Sequence, residues 1–247
     1  DIARADALKQ SITREVTATW TPGVVNGIGH WWGYRNFESA DTSTNLSPWG
    51  VIVGGEELHN NHHAFPSSAR FALRRFEFDI GWALICVCRA LGLAKVLRVA
   101  PSLDLRPNMN LPDAETAKAV LTHRFHVMSD YFRGVIAPTL RDEAANAGAG
   151  IKALPRKLRK ALGNGGRWLD AASRERLTAF TESRPQLRTV CEFRARLAAL
   201  TERNGRNADA LLDSIKQWCH EAEATGIRTL ADFANRLKGY RVVGEHG

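Results

Sequence analysis

The sequence predicts a mainly α-helical protein, with a histidine-rich first part and a longer basic second part. From Ala114 onward, apolar residues recur every three or four positions, as on one face of a helix. Prolines and glycines separate these periodic runs from one another. The cluster His59-Asn60-Asn61-His62-His63 spaces its histidines at i, i+3 and i+4, which places them on one helical face.

Composition divides the chain into successive segments. Residues 1–22 form a charged lead that ends at a Thr-Pro-Gly breaker, and residues 23–100 hold four of the eight histidines. Residues 101–113 contain three prolines and predict a linker. Residues 114–247 predict a basic helical extension. Its expected helices cover about 114–143, 168–182, 186–203, 207–225 and 228–240, with Gly226 placed to end the fourth of them.

The net charge of +8 indicates an acidic neighbour or a solvated basic surface without a partner. Phospholipid headgroups, nucleic acid and an acidic protein or carrier are all compatible with it. The four cysteines form no CxxC pair, so we expect a reducing compartment and no disulfide framework. The first twenty residues are charged throughout and lack an apolar core of signal-peptide length.

A membrane-spanning helix needs about 20 mostly apolar residues, and no window of the sequence supplies them. The nearest candidate is the run from Gly81 to Val99, which Arg89, Lys95 and Arg98 interrupt. With a tryptophan near one end and cations toward the other, this run suits a helix lying at a membrane surface. An amphipathic helix packed on a soluble core fits the pattern equally well.

The histidine cluster predicts a metal site formed by His59, His62 and His63. Neutral imidazole is a good ligand for iron, zinc, copper and nickel. Three clustered histidines are difficult to pack for structure alone, because both nitrogens of each ring need partners. Ordinary polar packing is the alternative.

His30 is the next candidate ligand. It stands at i+4 from Asn26, whose amide could hold a water or orient a ligand if this stretch is helical. The intervening Gly27 and Gly29 permit close approach of another element. Taken alone, however, a histidine after a glycine fits a hydrogen-bonded core position better than a metal ligand.

The other histidines predict less. His123 and His126 suit a surface helix face, and His220 a solvated position. His246 lies in the terminal tail. Glu56 and Glu57 precede the cluster but make no HExxH pattern, which excludes a zincin-type protease.

These motifs together resemble a known family. An N-x-x-x-H element at Asn26–His30 is followed 29 residues later by the H-x-x-H-H box at His59. The stretch from Val24 to Pro101 closely resembles the last part of membrane-type fatty acid (acyl) desaturases, including the bacterial type. The later segment WCHEAEATGIRTLADFANRLKGY resembles the helical C-terminal extension of some bacterial members.

The resemblance implies the cytoplasmic helical cap part of a membrane desaturase, followed by a helical extension. It assigns His30, His59, His62 and His63 as iron ligands and Asn26 as a residue that reaches the metal through water. The family uses two irons and O2 to place a cis double bond in an acyl chain. The implied partners are an acyl substrate (a CoA thioester, carrier-bound or a phospholipid), an electron-donor protein and the membrane surface on its cytoplasmic face.

The family also has two earlier histidine boxes, of the types HxxxH and HxxHH, in an upstream region, and neither occurs before His30 in this sequence. We therefore expect the 247 residues alone to be inactive, or to need the missing N-terminal desaturase region. Two other functions stay open. One is a helical nucleic-acid-binding module, suggested by the basic residues Arg156, Lys157, Arg159 and Lys160. The other is a metal hydrolase, although no carboxylate base stands at a defined offset.

Overall fold

The computed structural model describes residues 27–146, 155–202 and 208–243. These residues fall into two compact units, one within 1–100 and one within 101–244. Most of the described residues are helical and the few strands are short, which confirms the mainly α fold class. Among these residues, no helix is both long enough and apolar enough to cross a bilayer.

The first unit consists of short elements joined by ordered loops. After a helical turn at residues 27–29 come β1 (Trp49–Gly50), a 3-10 turn (Glu56–Leu58), α1 (His59–Ala64), β2 (Phe78–Asp79) and α2 (Ile80–Ala90). β1 and β2 pair in parallel, with Trp49 opposite Phe78 and Gly50 opposite Asp79. An isolated bridge joins Tyr34 to Asn45.

Helix α2 is shorter than the run from Gly81 to Val99 predicts. It begins where the Asp79 carboxylate accepts the Trp82 backbone N–H at 2.9 Å, a typical N-terminal cap. It ends at Ala90, and Gly92 follows with a φ of 72°. None of its residues is buried. Two of the three cations in the predicted run, Lys95 and Arg98, therefore lie beyond the helix.

The second unit is a helical bundle with one small sheet. Its elements are β3 (Ser102–Leu105), α3 (Ala114–Thr122), α4 (Arg124–Tyr131), a π-helical turn (Phe132–Ile136), α5 (Ala137–Asn146), α6 (Arg156–Asn164), α7 (Ala171–Glu182), α8 (Pro185–Thr201), α9 (Ala208–Ala224), α10 (Arg228–Lys238) and β4 (Tyr240–Val243). The four expected helices from residue 168 onward agree with these bounds to within a few residues. The single helix expected over 114–143 is instead divided into α3, α4, the π-helical turn and α5, and α6 was not among the expected helices. Gly226 follows α9 with a φ of 72°, as predicted for a residue that ends a helix.

The segment 101–113, expected to be a linker, contributes β3 to this unit. β3 pairs antiparallel with β4, with Leu105 opposite Tyr240. Next to the strand, the Arg106 guanidinium donates to both carboxylate oxygens of Asp113, at 2.6 and 2.7 Å. The three prolines of this segment suggested a linker. The strand could not be predicted locally, because its hydrogen-bonding partner β4 lies at the other end of the unit.

Aromatic rings form the centre of the second unit. Tyr131 and Phe233 meet nearly edge-on with ring centroids 5.0 Å apart, and Trp218 lies 5.9 Å from Phe233. The buried polar ends are satisfied: the Tyr131 hydroxyl donates to the Val190 carbonyl at 2.6 Å, and the Trp218 indole N–H to the Phe193 carbonyl at 3.1 Å.

One expectation in this unit was wrong. His123 is 2% exposed rather than on a surface face. It lies at the junction of α3 and α4, where the chain turns inward and burial lowers its pKa to about 4. His220 is exposed, as expected, whereas His246 lies outside the described residues.

Candidate metal centre

A glycine turn leads the chain into the helix that carries three of the histidines. Gly55 adopts a φ of 103°, and a Cβ there would lie 2.5 Å from an oxygen of Asp79. Only glycine fits both the conformation and the space. The 3-10 turn and α1 follow directly, and His59, His62 and His63 all lie on α1.

The two asparagines between the histidines anchor α1. The Asn60 side-chain oxygen accepts the backbone N–H groups of Asn36 and Phe37, both at 2.9 Å. The Asn61 side-chain amide donates to the Phe71 carbonyl at 2.8 Å. Both asparagines are buried. Their hydrogen bonds fix the rotation of the helix about its own axis, and with it the directions of the histidines.

Three of the predicted ligands converge. His30, His59 and His63 each offer a ring nitrogen, and these nitrogens lie within 4.8 Å of one another. The Nε2 atoms of His30 and His59 are 3.3 Å apart. The ring centroids of His59 and His63 are 4.4 Å apart. His30, which its local sequence left ambiguous, is therefore a member of the cluster.

The opposite nitrogen of each of these rings faces an oxygen. His30 Nδ1 lies 3.2 Å from the Thr42 hydroxyl, and His63 Nδ1 lies 2.5 Å from the Asp41 carboxylate. His59 Nδ1 lies 3.9 Å from the Glu56 carboxylate, too long for a hydrogen bond. In His63, and by the same geometry in His30, Nε2 is the nitrogen left for a metal.

Sequence reasoning missed Asp41 and Thr42, and it considered Glu56 only as part of a protease motif. Glu56 stands at i−3 from His59, so helical spacing could have indicated it. No comparable signal relates Asp41 to His63, which lie 22 positions apart.

His62 lies beside the cluster rather than within it. Its ring centroid is 5.7 Å from that of His63 and 6.4 Å from that of His59. The ring packs against Phe71 with centroids 4.7 Å apart. Its Nδ1 is buried and has no hydrogen-bond partner among the residues that the structure describes.

The remaining predicted position, Asn26, lies outside the described residues. The two glycines that follow it differ in their surroundings. A Cβ on Gly29 would lie 3.2 Å from Cδ2 of His59, whereas one on Gly27 would have no neighbour within 4 Å. Gly29 therefore lets His59 approach the turn that carries His30.

The electrostatic environment of His30, His62 and Asp41 favours the forms that bind a cation. Burial, assisted by neighbouring histidines, lowers the pKa of His30, and burial likewise lowers that of His62. Although burial opposes it, hydrogen bonds from the serines at positions 39 and 43 hold the pKa of Asp41 below its usual value. Neutral imidazoles flanked by carboxylates fit a first-row transition metal, and they do not by themselves select iron.

No protein-family model and no solved structure matches the chain. Curated relatives do. The chain is 46% identical over 88 residues to the Delta-9 desaturase-like 1 protein of Arabidopsis thaliana, covering 36% of this chain and 28% of that protein. It is 43% identical over 82 residues to the sn-1 stearoyl-lipid 9-desaturase of Anabaena variabilis, covering 33% and 29% respectively.

A third relative is the sn-2 palmitoyl-lipid 9-desaturase of Nostoc sp. (strain 36), 39% identical over 84 residues. That match covers 34% of this chain and 28% of the relative. The chain thus spans less than a third of the length of these curated relatives. Over that span the chain is similar to curated desaturases, in agreement with the resemblance that the histidine motifs indicate.

Proposed function

We propose that this chain supplies part of the iron site of an acyl desaturase, an O2-dependent oxidoreductase that places a cis double bond in an acyl chain. The observation that carries the proposal is the convergence of His30, His59 and His63 in a chain whose relatives are desaturases. The same relatives favour desaturation over hydrolysis at these histidines and over nucleic-acid binding.

The histidines divide the ligand roles between them. His30, His59 and His63 would hold one iron through the ring nitrogens that already face one another. His62, whose buried Nδ1 has no hydrogen-bond partner in the described part of the chain, would serve a second iron together with ligands that these four histidines do not supply. When bound, iron supplies the O2-dependent oxidation of an unactivated C–H bond, which no acid or base side chain can attack.

The ligand count also bears on activity. Four histidines do not complete the two-iron shell that the family resemblance implies. We therefore expect the 247 residues alone to bind metal without turning over an acyl substrate. Asn26, four positions before His30, would reach the metal through a water.

Apolar side chains beside His30 suit an acyl substrate. Trp31 and Trp32 follow it directly and are 86% and 63% exposed, and Ile28 precedes it and is also exposed. Such side chains could align a methylene chain next to the histidines. The names of two relatives specify stearoyl-lipid and palmitoyl-lipid substrates. We therefore favour a lipid-linked acyl chain over a CoA thioester or a carrier-bound chain.

The stoichiometry of the reaction implies a further partner. Reducing O2 to two waters takes four electrons, and removing two hydrogens from the acyl chain supplies two of them. An electron-donor protein would deliver the other two.

We also propose that the first unit lies on the cytoplasmic face of a membrane. Helix α2 has no buried residue, and its Leu84 and Val87 are exposed together with Leu91, Leu93 and Leu97 beyond its end. Arg89, Lys95 and Arg98 stand among them. Apolar side chains interspersed with cations suit an interface with anionic headgroups.

Metal binding is the first test. The full chain is dialysed anaerobically against Fe2+, and bound iron is measured for the wild type, His63→Ala and His220→Ala. We expect iron in the wild type and in His220→Ala, since His220 is exposed in the second unit, and a marked loss in His63→Ala. Equal iron in all three proteins, or none in the wild type, would overturn the site.

Activity is tested in a chimera. The segment 24–101 replaces the matching segment of the Anabaena variabilis desaturase, and lipid acyl chains are analysed after expression in a host that lacks that product. We expect monounsaturated chains from the chimera and none from the same chimera carrying His59→Ala. A chimera that binds iron yet never forms a double bond would argue against desaturation and leave the metal site standing.

A further inference from the structure

The loop that contains residues 39–43 presents the carboxylate of Asp41 to the histidine cluster in a fixed orientation. Asp41 Oδ1 accepts the Ser43 backbone N–H at 3.0 Å and the Ser39 hydroxyl at 2.9 Å, as well as the Ser43 hydroxyl. Its other oxygen, Oδ2, lies 2.5 Å from His63 Nδ1. One oxygen is thus held by the loop, and the other is directed at the imidazole.

Arg35, which lies just before this loop, holds the loop backbone in place. The Arg35 guanidinium donates to the backbone carbonyls of Asp41 and Ser43, at 2.9 and 2.7 Å. These hydrogen bonds do not involve any histidine. The hydrogen bonds that orient the Asp41 carboxylate are therefore independent of His63, so the carboxylate can direct the ring.

The chemistry of the pair decides which nitrogen carries the proton. An ionised carboxylate only accepts hydrogen bonds, so His63 Nδ1 must donate. The neutral ring then carries its hydrogen on Nδ1 and keeps the lone pair on Nε2 for a metal. The corresponding contacts of the neighbouring rings are weaker, since His30 meets a hydroxyl at 3.2 Å and His59 meets Glu56 at 3.9 Å.

We propose that Asp41 is a positioning residue for the metal site, which fixes the ring orientation and the tautomer of His63. This inference rests on the proposed metal site. Hydrogen bonds from carboxylates to ligating histidines commonly change metal affinity by about 10- to 100-fold. Asp41 makes no contact with a metal itself in this role and acts only through His63.

The test is a Co2+ titration of the full chain with a competing chelator, followed by the visible bands of the bound ion. Asp41→Ala should weaken Co2+ binding by about 10- to 100-fold. Asp41→Asn, whose amide oxygen can still accept the Nδ1 hydrogen, should recover part of that loss. Asp79→Asn is the matched control for Asp41→Asn, because Asp79 is likewise a carboxylate that accepts backbone N–H groups, yet it contacts none of these histidines. It should leave Co2+ affinity unchanged.

A double-mutant cycle separates positioning from a general effect on the fold. If Asp41 acts through His63, Asp41→Ala should change affinity little once His63→Ala is present. Losses that add in full would overturn the inference. So would an Asp41→Ala protein whose affinity stays within twofold of the wild type.

The tautomer provides a readout that needs no metal. The ring nitrogens of His63 in the metal-free chain are assigned by long-range ¹H–¹⁵N correlation. We expect the hydrogen on Nδ1 in the wild type and its loss from that site in Asp41→Ala. Hydrogen on Nε2 in the wild type would refute the role of Asp41 outright. A wild type with the expected tautomer that binds no Co2+ would instead overturn the proposed metal site and, with it, the positioning role.

Discussion

The side-chain amide of Asn61 donates a 2.8 Å hydrogen bond to the carboxylate of Glu77. Glu77 also accepts the Asn36 amide at 2.5 Å and the Tyr34 hydroxyl at 2.7 Å. Burial and this carboxylate both raise the pKa of Tyr34 above its ordinary value. Glu77 therefore connects Asn61 on α1 to Tyr34 and Asn36 in the loop that follows His30.

Replacing Glu77 should destabilise the first unit strongly. Glu77→Leu leaves several amide and hydroxyl donors without their charged acceptor, so we expect the free energy of unfolding to fall by about 3 kcal/mol or more. Urea unfolding followed by tryptophan fluorescence measures this change. Glu192→Leu, at an exposed position on α8, should stay within about 0.5 kcal/mol of the wild type. A loss below about 1 kcal/mol in Glu77→Leu would show that the network contributes little.

A methyl group on Gly29 should disturb the proposed metal site without unfolding the first unit. Its Cβ would lie 3.2 Å from the His59 ring, which must shift by a few tenths of an ångström. We expect Co2+ affinity to fall about tenfold, equivalent to about 1.4 kcal/mol. Gly27→Ala is the matched control, with open space around its Cβ. Equal affinities in the two variants would mean that His59 accommodates the methyl group freely.

His123 predicts a pH dependence of stability. Its pKa is about 4 in the folded protein against 6.5 for an ordinary histidine, so the unfolded chain binds the proton first. The free energy of unfolding should fall as pH decreases from 6.5 toward 4, by up to about 1.4 kcal/mol per pH unit. Well above pH 6.5, His123 is neutral in both the folded and the unfolded chain, so it no longer changes the free energy of unfolding with pH.

The measurement is the urea midpoint between pH 4 and 8 for the wild type and two histidine variants. His123→Gln should flatten the dependence below pH 6.5, whereas His220→Gln should retain it because His220 is exposed. An unchanged slope in His123→Gln would assign the dependence to other groups.

Membrane association should depend on the exposed side of α2. Leu84→Glu combined with Val87→Glu places charge where both side chains are exposed, and should lower binding to vesicles of anionic phospholipid by at least about tenfold. Leu111→Glu changes a similarly exposed leucine in the second unit and should bind like the wild type. Co-sedimentation with vesicles measures both. Equal binding by all three proteins would place any membrane contact elsewhere.

Local pattern predicted the four helices from residue 168 onward to within a few residues, because apolar periodicity and glycine stops are encoded within each segment. It failed where the deciding partner is remote. β3 pairs with β4, which lies more than 130 positions later in the sequence. His123 is buried by packing that its neighbours in sequence do not indicate. The helix predicted from Gly81 to Val99 was too long, since it ends at Ala90, shortly before Gly92 with its φ of 72°.

The sequence by itself determined the mainly helical class, the desaturase resemblance and the four candidate histidines, because short-range spacing specifies each of these. Only the tertiary structure decided that His30, His59 and His63 converge while His62 turns toward Phe71. The physical reason lies in the rotation of α1 about its axis. Asn60 and Asn61 set that rotation through hydrogen bonds to distant loops, and Asp41 reaches His63 from one of these loops.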